Sequence, residues 1–389
     1  MRAALAALRG RPVARVGRRR AWTSVTRASW LDAAERALRR ASNDYERSEQ
    51  AYLAWDPVDE RSTHEAMSAM NGAVRIVAFG PWRSMRFNEI EQGLSYVGTG
   101  GGGADAAAGE ARAESDALPY EYLRVMTSVS VGLCAHKGLD LAGGGGGRFF
   151  YVGLGAGAAP AFAKRAFPAT DVEVVEIDPV VLNAARHHLG VEMRVDGESN
   201  GDKGAMRVVL GDCASVLRAR SALDVIFMDA FDGEGEIPRH LREESFLKTC
   251  GDALLEDGSL VVNMFNGSRG SRARESVRDF ARLLERHIGP VCSFPVMTSP
   301  VNVVLSATKS KSTRPTRDEF VALTKSQGER AGFAWQPHQL VEGAFWVDAS
   351  GEDMIEAVAG GKPGIRGRFK GRNGTIMPRE FQKLLEHSD

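Results

Sequence analysis

The stretch Arg148-Phe-Phe-Tyr-Val-Gly-Leu-Gly-Ala-Gly157 decides the fold. Its residues Phe149–Val152 form a short apolar run typical of a buried strand, and glycines follow at every second position. Residues without a side chain directly after a strand let backbone amides and the start of the next helix approach a ligand closely. The stretch therefore predicts a strand, a turn and a helix, with Gly153, Gly155 and Gly157 as candidate ligand-binding positions.

Strand and helix patterns alternate beyond this stretch. They end in two apolar runs, Val291–Met297 and Asn302–Ala307, which only four residues join. So short a link cannot carry a parallel crossover, which needs a dozen or more residues. We therefore predict an α/β fold whose seven-stranded, Rossmann-like sheet ends in an antiparallel hairpin. The other predicted strands are Arg148–Gly153, Val172–Ile177, Met206–Leu210, Leu223–Met228 and Ser259–Met264.

Acidic residues stand at the carboxyl ends of three of these strands, where open α/β sheets bind ligands. Glu176 is suited to accept hydrogen bonds from the two ribose hydroxyls of a nucleoside. Asp212 can accept the exocyclic amine of adenine, or can cap the next helix instead. Asp229 and Asp232 can position a cationic amine or take its proton. The order of these acids favours a nucleoside site followed by an amine site.

Two further observations bear on the nucleoside. Cys213 neighbours the predicted adenine region and is a candidate cofactor contact, although a packed thiol is the alternative. The glycines also fit the G-x-G-x-x-A pattern of dinucleotide sites, with Ala158 in the last place. A site for NAD needs two mononucleotide halves, and only one glycine-rich strand end is present. The pattern therefore favours a mononucleoside ligand.

Taken in order, these motifs resemble the spermidine-synthase-like branch of the class I AdoMet-dependent transferases. The resemblance covers Val74–Thr308. Within it, Arg86–Tyr96 is similar to the N-terminal hairpin of that family, and Leu118–Met126 is similar to the helix with its substrate-facing tyrosine. The resemblance implies a small N-terminal β-domain before the main sheet. It also implies dimerisation through that domain.

The resemblance implies roles for particular residues. Glu176 would hold the ribose, and Asp212 the adenine, of S-adenosyl-L-methionine (AdoMet) or decarboxylated AdoMet. Asp229 would accept the proton of an amine, and Gln92 and Tyr122 would contact the substrate. The implied partner is an amine-bearing small molecule or a protein.

Departures from the family pattern bear on the reaction. Aminopropyltransferases have an aspartate in the glycine loop that holds the aminopropyl amine, and Ala156 stands in its place here. Their helix reads Tyr-His-Glu, where this chain has Tyr122-Leu-Arg124. A protonated diamine needs carboxylates, so the loss of two acids and the gain of a cation favour a methyltransferase. Aminopropyl transfer is the first alternative, and a non-catalytic nucleoside-binding protein is the second.

Charge is unevenly distributed along the chain. The 389 residues contain 50 basic and 50 acidic side chains, but the first 31 residues hold eight arginines and no acid. An arginine-rich, acid-poor leader predicts import into a mitochondrion or chloroplast, with a cytoplasmic location if the leader is not functional. Without it, the chain has 42 basic and 50 acidic residues, so nucleic acid is not an expected partner.

Composition excludes several other classes of protein. No run of 18 apolar residues is present, so we expect no membrane association. The four cysteines form no C-x-x-C pair, so we expect neither a metal site nor a disulfide scaffold. Two glycine tracts, in 98–117 and at Gly143–Gly147, are typical of solvated spacers. The predicted organisation is a transit peptide (1–31), a helical segment (32–71), a β-hairpin domain with a glycine-rich insertion (72–117), the AdoMet-fold domain (118–308) and a polar C-terminal extension (309–389).

Overall fold

The computed structural model describes residues 60–79, 82–88, 90–96, 118–198, 204–231, 237–266, 272–296, 302–309, 315–342 and 345–346. All of them belong to one compact unit. The predicted transit peptide, the first glycine tract and most of the predicted helical segment lie outside these ranges. None of the helices within them combines the length and the apolar character that a membrane span requires.

The described chain begins with a four-stranded antiparallel sheet. Its strands are β1 (Arg61–Ser68), β2 (Gly72–Phe79), β3 (Trp82–Phe87) and β4 (Ile90–Tyr96), in the order β1-β2-β3-β4. This sheet matches the predicted N-terminal β-domain but begins earlier in the sequence.

The prediction of a helix up to residue 71 is wrong for Arg61–Ser68, which form β1. From His64 to Ser68 the side chains alternate between partly or fully buried and exposed, which is the period of a strand. The helical spacing that predicted this segment lies in Leu31, Ala34, Leu38 and Ala41, all before position 42, so β1 had no helical signal of its own. Pairing with β2 along its length determines its conformation instead.

Within the described residues, the main sheet has nine strands. Seven of them are β5 (Arg148–Val152), β6 (Asp171–Glu176), β8 (Met206–Leu210), β9 (Leu223–Met228), β10 (Leu254–Phe265), β11 (Val291–Pro295) and β12 (Asn302–Thr308). Two short edge strands, β7 (Met193–Val195) and β13 (Phe345–Trp346), were not predicted. The strand order is β13-β11-β12-β10-β9-β5-β6-β8-β7.

The directions of these strands agree with the prediction from the sequence. Strands β5, β6, β8, β9 and β10 are parallel, whereas β12 runs antiparallel to both β10 and β11. The predicted α/β class and the closing antiparallel hairpin are therefore confirmed. The helices are α1 (Glu121–His136), α2 (Ala158–Ala166), α3 (Pro179–His188), α4 (Cys213–Leu217), α5 (Glu244–Ala253), α6 (Arg272–His287), α7 (Arg317–Arg330) and α8 (Pro337–Val341).

Strand β5 shows how the sequence builds the two faces of the sheet. Phe149 and Tyr151 lie in one buried cluster, together with side chains from α1, α2 and α3. Phe150 and Val152 lie in a second cluster, together with side chains from α4, α5 and α6. Alternate residues of a strand point to opposite faces, so a continuous apolar run fills both cores.

The described part of the C-terminal extension packs against α1. Gly132 allows this close approach, because a β-carbon there would lie 2.2 Å from Thr324 Oγ1 and 2.5 Å from Phe320 Cε2 of α7. Trp335 is buried, and its indole N–H donates to Ser128 Oγ of α1 at 3.2 Å. Within the described ranges, the extension is therefore part of the domain core.

The second glycine tract is a compact turn, of which Gly143, Gly144 and Gly146 are exposed, as the prediction of a solvated spacer expects. Asp140 accepts a hydrogen bond from the Gly143 amide at 3.0 Å. A β-carbon at Gly145 would lie 2.7 Å from the Asp140 carbonyl oxygen, and one at Gly146 would lie 2.8 Å from that of Ala169. Close backbone packing explains these glycines.

Candidate active site

The glycine loop and Asp229 meet where the strand order reverses. Strand β5 lies between β6, which follows it in the chain, and β9, which comes later. The crevice at the carboxyl ends of such a pair is the usual ligand site of an open α/β sheet. A β-carbon at Gly153, which follows β5, would lie 3.1 Å from the Asp229 carbonyl oxygen, which follows β9. The structure thus brings the first and the last of the predicted motifs together.

The loop that contains Gly153, Gly155 and Gly157 has the geometry of a backbone cradle. All three glycines have positive φ, at 92°, 51° and 73°, a region that residues with a β-carbon rarely adopt. Among the described residues, a β-carbon at Gly155 would have only the Gln92 carbonyl oxygen within 4 Å, at 3.7 Å. The described part of the chain therefore leaves open space at Gly155, where the loop fits a ligand that approaches the backbone closely.

Glu176, the last residue of β6, connects this loop to β6 by a hydrogen bond. Its Oε2 accepts the Leu154 amide at 3.0 Å, and its Oε1 accepts the Asp178 amide at 2.9 Å. Burial raises the pKa of this carboxyl, and the amide hydrogen bonds oppose that rise. The Ile177 amide also bonds to this carboxylate, so three of its about four acceptor positions are used, and the remaining one is compatible with a ribose hydroxyl.

Asp212 and Cys213 lie at the start of α4. Asp212 is the N-cap residue, and its Oδ1 accepts the amide and the hydroxyl of Ser215 at 2.8 and 2.7 Å. Its Oδ2 lies 3.9 Å from His240 Nε2, and its side chain is 41% exposed. The Cys213 side chain is buried in the second core cluster, where burial raises its pKa to about 12. The adenine roles of both residues stay predictions.

Two exposed apolar side chains at this edge of the sheet were not predicted from the sequence. Ile177 follows β6 and is 43% exposed, and Leu210 ends β8 and is 47% exposed. They come immediately after Glu176 and immediately before Gly211-Asp212. Exposed apolar side chains beside polar ones suit the faces of a planar base. A search for apolar residues directly next to the strand-end acids could have found them.

Asp229 is held by side chains from two other elements. Asn263 of β10 donates to Asp229 Oδ1 at 2.9 Å, and the Tyr122 hydroxyl of α1 forms a second hydrogen bond with Asp229. Asn302, at the start of β12, in turn donates to Asn263 Oδ1 at 3.1 Å. Tyr122 was predicted here, whereas the two asparagines were not.

Burial raises the pKa of Asp229 to about 6, although the hydrogen bonds from Asn263 and Tyr122 oppose the rise. Burial also raises the pKa of Tyr122 well above its usual value, and the neighbouring Asp229 adds to this rise. Tyr122 therefore stays a neutral donor. A carboxyl with a pKa about one unit below neutral pH is ionised there, yet basic enough to accept a proton.

The cleft between the glycine loop and Asp229 is also lined by the predicted substrate residues Gln92 and Tyr122. It measures about 580 Å³, including the space at its mouth. The Tyr120 and Tyr122 rings stack in it with centroids 5.6 Å apart. Glu91, which precedes Gln92 in β4, accepts hydrogen bonds from the Tyr120 hydroxyl and from Ser84 Oγ. The small sheet therefore supplies one wall of the cleft.

Asp232, the second predicted catalytic acid, lies outside the described residues. Within the described ranges, no group of three or more His, Cys, Asp or Glu side chains is arranged to hold a metal ion. The backbone cradle and the hydrogen-bonded Asp229 thus share one cleft. Glu176 and Asp212 stand outside its lining at the neighbouring strand ends, and Glu176 is joined to it through the Leu154 amide.

Comparison with known proteins agrees with this arrangement. The profile described as the spermine/spermidine synthase domain matches residues 161–316. A polyamine aminopropyltransferase of Vibrio vulnificus (strain CMCP6) is 34% identical over 127 residues, which are 31% of this chain and 39% of the relative. An eEF1A lysine and N-terminal methyltransferase of Danio rerio is 31% identical over 138 residues, which are 33% of this chain and 18% of the relative.

A structural neighbour covers a larger share of the chain. A probable spermidine synthase from Corynebacterium glutamicum ATCC 13032 aligns with a TM-score of 0.52 at 15% identity, covering 77% of this chain and 94% of the neighbour. At that identity, the likeness concerns the fold. The chain matches less than half the length of either curated relative named above. Residues 161–316 are therefore similar to the spermine/spermidine synthase domain, and the chain shares its fold with the probable spermidine synthase.

Proposed function

We propose that this protein transfers an aminopropyl group from decarboxylated AdoMet to an amine. The observation that carries the proposal is the Asp229 carboxylate, which Tyr122 and Asn263 hold in the cleft beside the glycine loop. The family profile and the Vibrio vulnificus relative support aminopropyl transfer better than the methyl transfer that the sequence departures favoured.

The nucleoside part of the donor would lie along the carboxyl ends of β5, β6 and β8. Glu176 would accept a ribose hydroxyl, and Asp212 the adenine amine through its Oδ2. Ile177 and Leu210 would cover the faces of the base. The open space at Gly155 fits this placement, because no side chain of the described residues competes with the ligand there.

The donor supplies a carbon atom that a sulfonium activates for substitution. Asp229 takes the proton from the acceptor ammonium, which frees the nitrogen lone pair. That lone pair forms the new C–N bond, while the C–S bond breaks and its electrons go to sulfur, leaving a neutral thioether. Tyr122 and Asn263 keep the carboxylate in place for the proton transfer, and fixed geometry supplies much of the rate.

Methyl transfer is the second candidate, and the geometry around Ala156 favours it. A β-carbon at Gly93 of β4 would lie 2.6 Å from the Ala156 β-carbon, so the strand packs directly on this residue. Ser95 Oγ also donates to the Ala156 carbonyl oxygen at 3.1 Å. The loop therefore offers no acid for a donor amine at this point, and AdoMet would be the donor for this second reaction.

Incubation of the protein with each donor in turn, followed by mass analysis of the products, tests the proposal. Aminopropyl transfer predicts methylthioadenosine and an amine product 57 Da heavier, since C3H7N is added to the acceptor. Formation of S-adenosylhomocysteine from AdoMet instead would overturn the proposal in favour of methyl transfer. If calorimetry detects no binding of either donor, the protein is a non-catalytic member of this fold.

A further inference from the structure

A line of hydrogen bonds crosses the end of the sheet from β12 to Asp229. Asn302 Nδ2 donates to Asn263 Oδ1 at 3.1 Å, and Asn263 Nδ2 donates to Asp229 Oδ1 at 2.9 Å. Asn263 is 2% exposed, so no water competes for its amide. The line ends on the carboxylate to which we assign the proton transfer.

Strand register explains how these residues come together. Val262 of β10 pairs with Met228 of β9, which places Asn263 beside Asp229. Asn302 pairs with Phe265, two residues beyond Asn263, so the two asparagines are diagonal neighbours on antiparallel strands. The closing hairpin thus adds a polar group to the site as well as a strand to the sheet.

The donor and acceptor groups of these side chains determine the direction of each hydrogen bond in the line. An ionised carboxylate can only accept hydrogen bonds, so Asn263 must present its NH2 group to Asp229. Its carbonyl oxygen then faces Asn302, which must donate. If the Asn263 amide turned over, two acceptors would face each other at Asp229, which is unfavourable in a buried place.

We propose that Asn263 and Asn302 are positioning residues for the transfer reaction, with Asn302 fixing the orientation in which the Asn263 amide holds Asp229. This inference rests on the proposed function only in giving Asp229 the proton transfer. The titratable groups on this side of the described site are Tyr122 from α1 and Glu91 of β4, which acts on Tyr122. Strands β10 and β12 contribute the two uncharged amides.

The test is a titration of Asp229 by NMR, with ¹³C-labelled aspartate carboxyls and Asp229→Asn to assign the signal. In Asn263→Leu the carboxylate loses a donor, and we expect its pKa to rise by about one unit. In Asn302→Leu the Asn263 amide is free to turn, and we expect about half that rise. Asn302→Asp forces the turned amide and adds a like charge, so its rise is the largest of the three.

Asn183→Asp is the matched control, because it adds the same charge on the exposed face of α3. Its Asp229 signal should titrate as in the unchanged protein. If both Asn302 variants fold, as judged by thermal unfolding, and Asp229 titrates unchanged, the asparagines are structural and the proposal is wrong. If Asn263→Leu does not fold, the titrations of Asn302→Leu and Asn302→Asp still test the proposal.

The titration needs no turnover, so it separates this inference from the proposed function. A shifted Asp229 without aminopropyl transfer would overturn the proposed function alone. Where transfer is found, the acidic limb of the pH dependence of kcat/KM should move to higher pH in the same order of variants. An unmoved limb, in variants whose Asp229 pKa has shifted, would contradict the assignment of that limb to Asp229.

Discussion

The two sides of the proposed active site, one for the nucleoside and one for the acceptor, hold their carboxylates in different ways. On the nucleoside side, Glu176 accepts two backbone amides and Asp212 accepts the amide and hydroxyl of Ser215, three residues ahead. On the acceptor side, the partners of Asp229 are side chains from α1 and β10. The first side uses mainly backbone amides at strand ends and turns, and the second uses side chains from elements distant in the sequence.

This difference has a physical consequence. Backbone amides keep their places under any substitution that leaves the strand ends and turns intact, so the environments of Glu176 and Asp212 are insensitive to changes in distant side chains. Asp229 depends on the packing of α1 and on strand register, so substitutions in other elements can tune its pKa. A base that needs a shifted pKa is better placed in the second kind of environment.

Replacing Asp229 by asparagine gives the largest expected effect. The amide keeps the size and the hydrogen bonds of the carboxylate but cannot accept a proton at neutral pH. We expect kcat/KM for aminopropyl transfer to fall by about 10²- to 10⁴-fold. Donor affinity, measured by calorimetry, should change by less than about threefold, because Asp229 lies on the acceptor side. If donor affinity fell by the same factor as kcat/KM, Asp229 would also bind the donor, and the division between the two sides would be wrong.

Replacing Glu176 by alanine should damage the nucleoside side in two ways. It leaves the buried Leu154 and Asp178 amides without their acceptors, which costs about 2 kcal/mol of unfolding free energy. We also expect at least about tenfold weaker donor binding. Denaturant unfolding and calorimetry measure the two effects. Glu176→Gln, which keeps one amide acceptor, should fall between alanine and the unchanged protein; an intact affinity in Glu176→Ala would remove the ribose assignment.

The raised pKa of Asp229 predicts a stability change with pH. The folded protein binds this proton more tightly than the unfolded chain does, so between about pH 4 and 6 its stability falls as pH rises. Asp229→Asn removes that cost and should be about 1–2 kcal/mol more stable than the unchanged protein at pH 8.

The same variant should show little gain at pH 4, where the carboxyl of the unchanged protein is protonated in the folded state. Unfolding at both pH values measures the difference. An equal gain at pH 4 and pH 8 would mean that the amide improves packing and that titration is not the cause.

Replacing Asp212 by alanine should have the smallest effect. It removes the N-cap of α4, and we expect a loss of about 1 kcal/mol in unfolding free energy. Asp212→Asn keeps the capping oxygen and serves as the control for stability. If Asp212→Ala has unchanged donor affinity while Glu176→Ala does not, Asp212 is a cap only, and the adenine contact must come from elsewhere.

Sequence patterns predicted the parts of this site that local chemistry determines. The glycine loop, the strand-end acids and the antiparallel closing pair all follow from a few neighbouring residues. Asn263 and Asn302 could not be predicted in this way, because their contact depends on the register between β10 and β12. A shift of one residue would place Asn302 on the other face of the sheet. Strand β1 was missed for a related reason, since only its pairing with β2 reveals it.

The close approach at Gly132 has a consequence for how the cleft admits its ligands. Helix α1 carries Tyr122 at one end and is fixed along its length by Thr324, Phe320 and Trp335. A helix held in this way cannot swing away from the sheet without unpacking the C-terminal helices. Hydrogen exchange should accordingly be slow along α1.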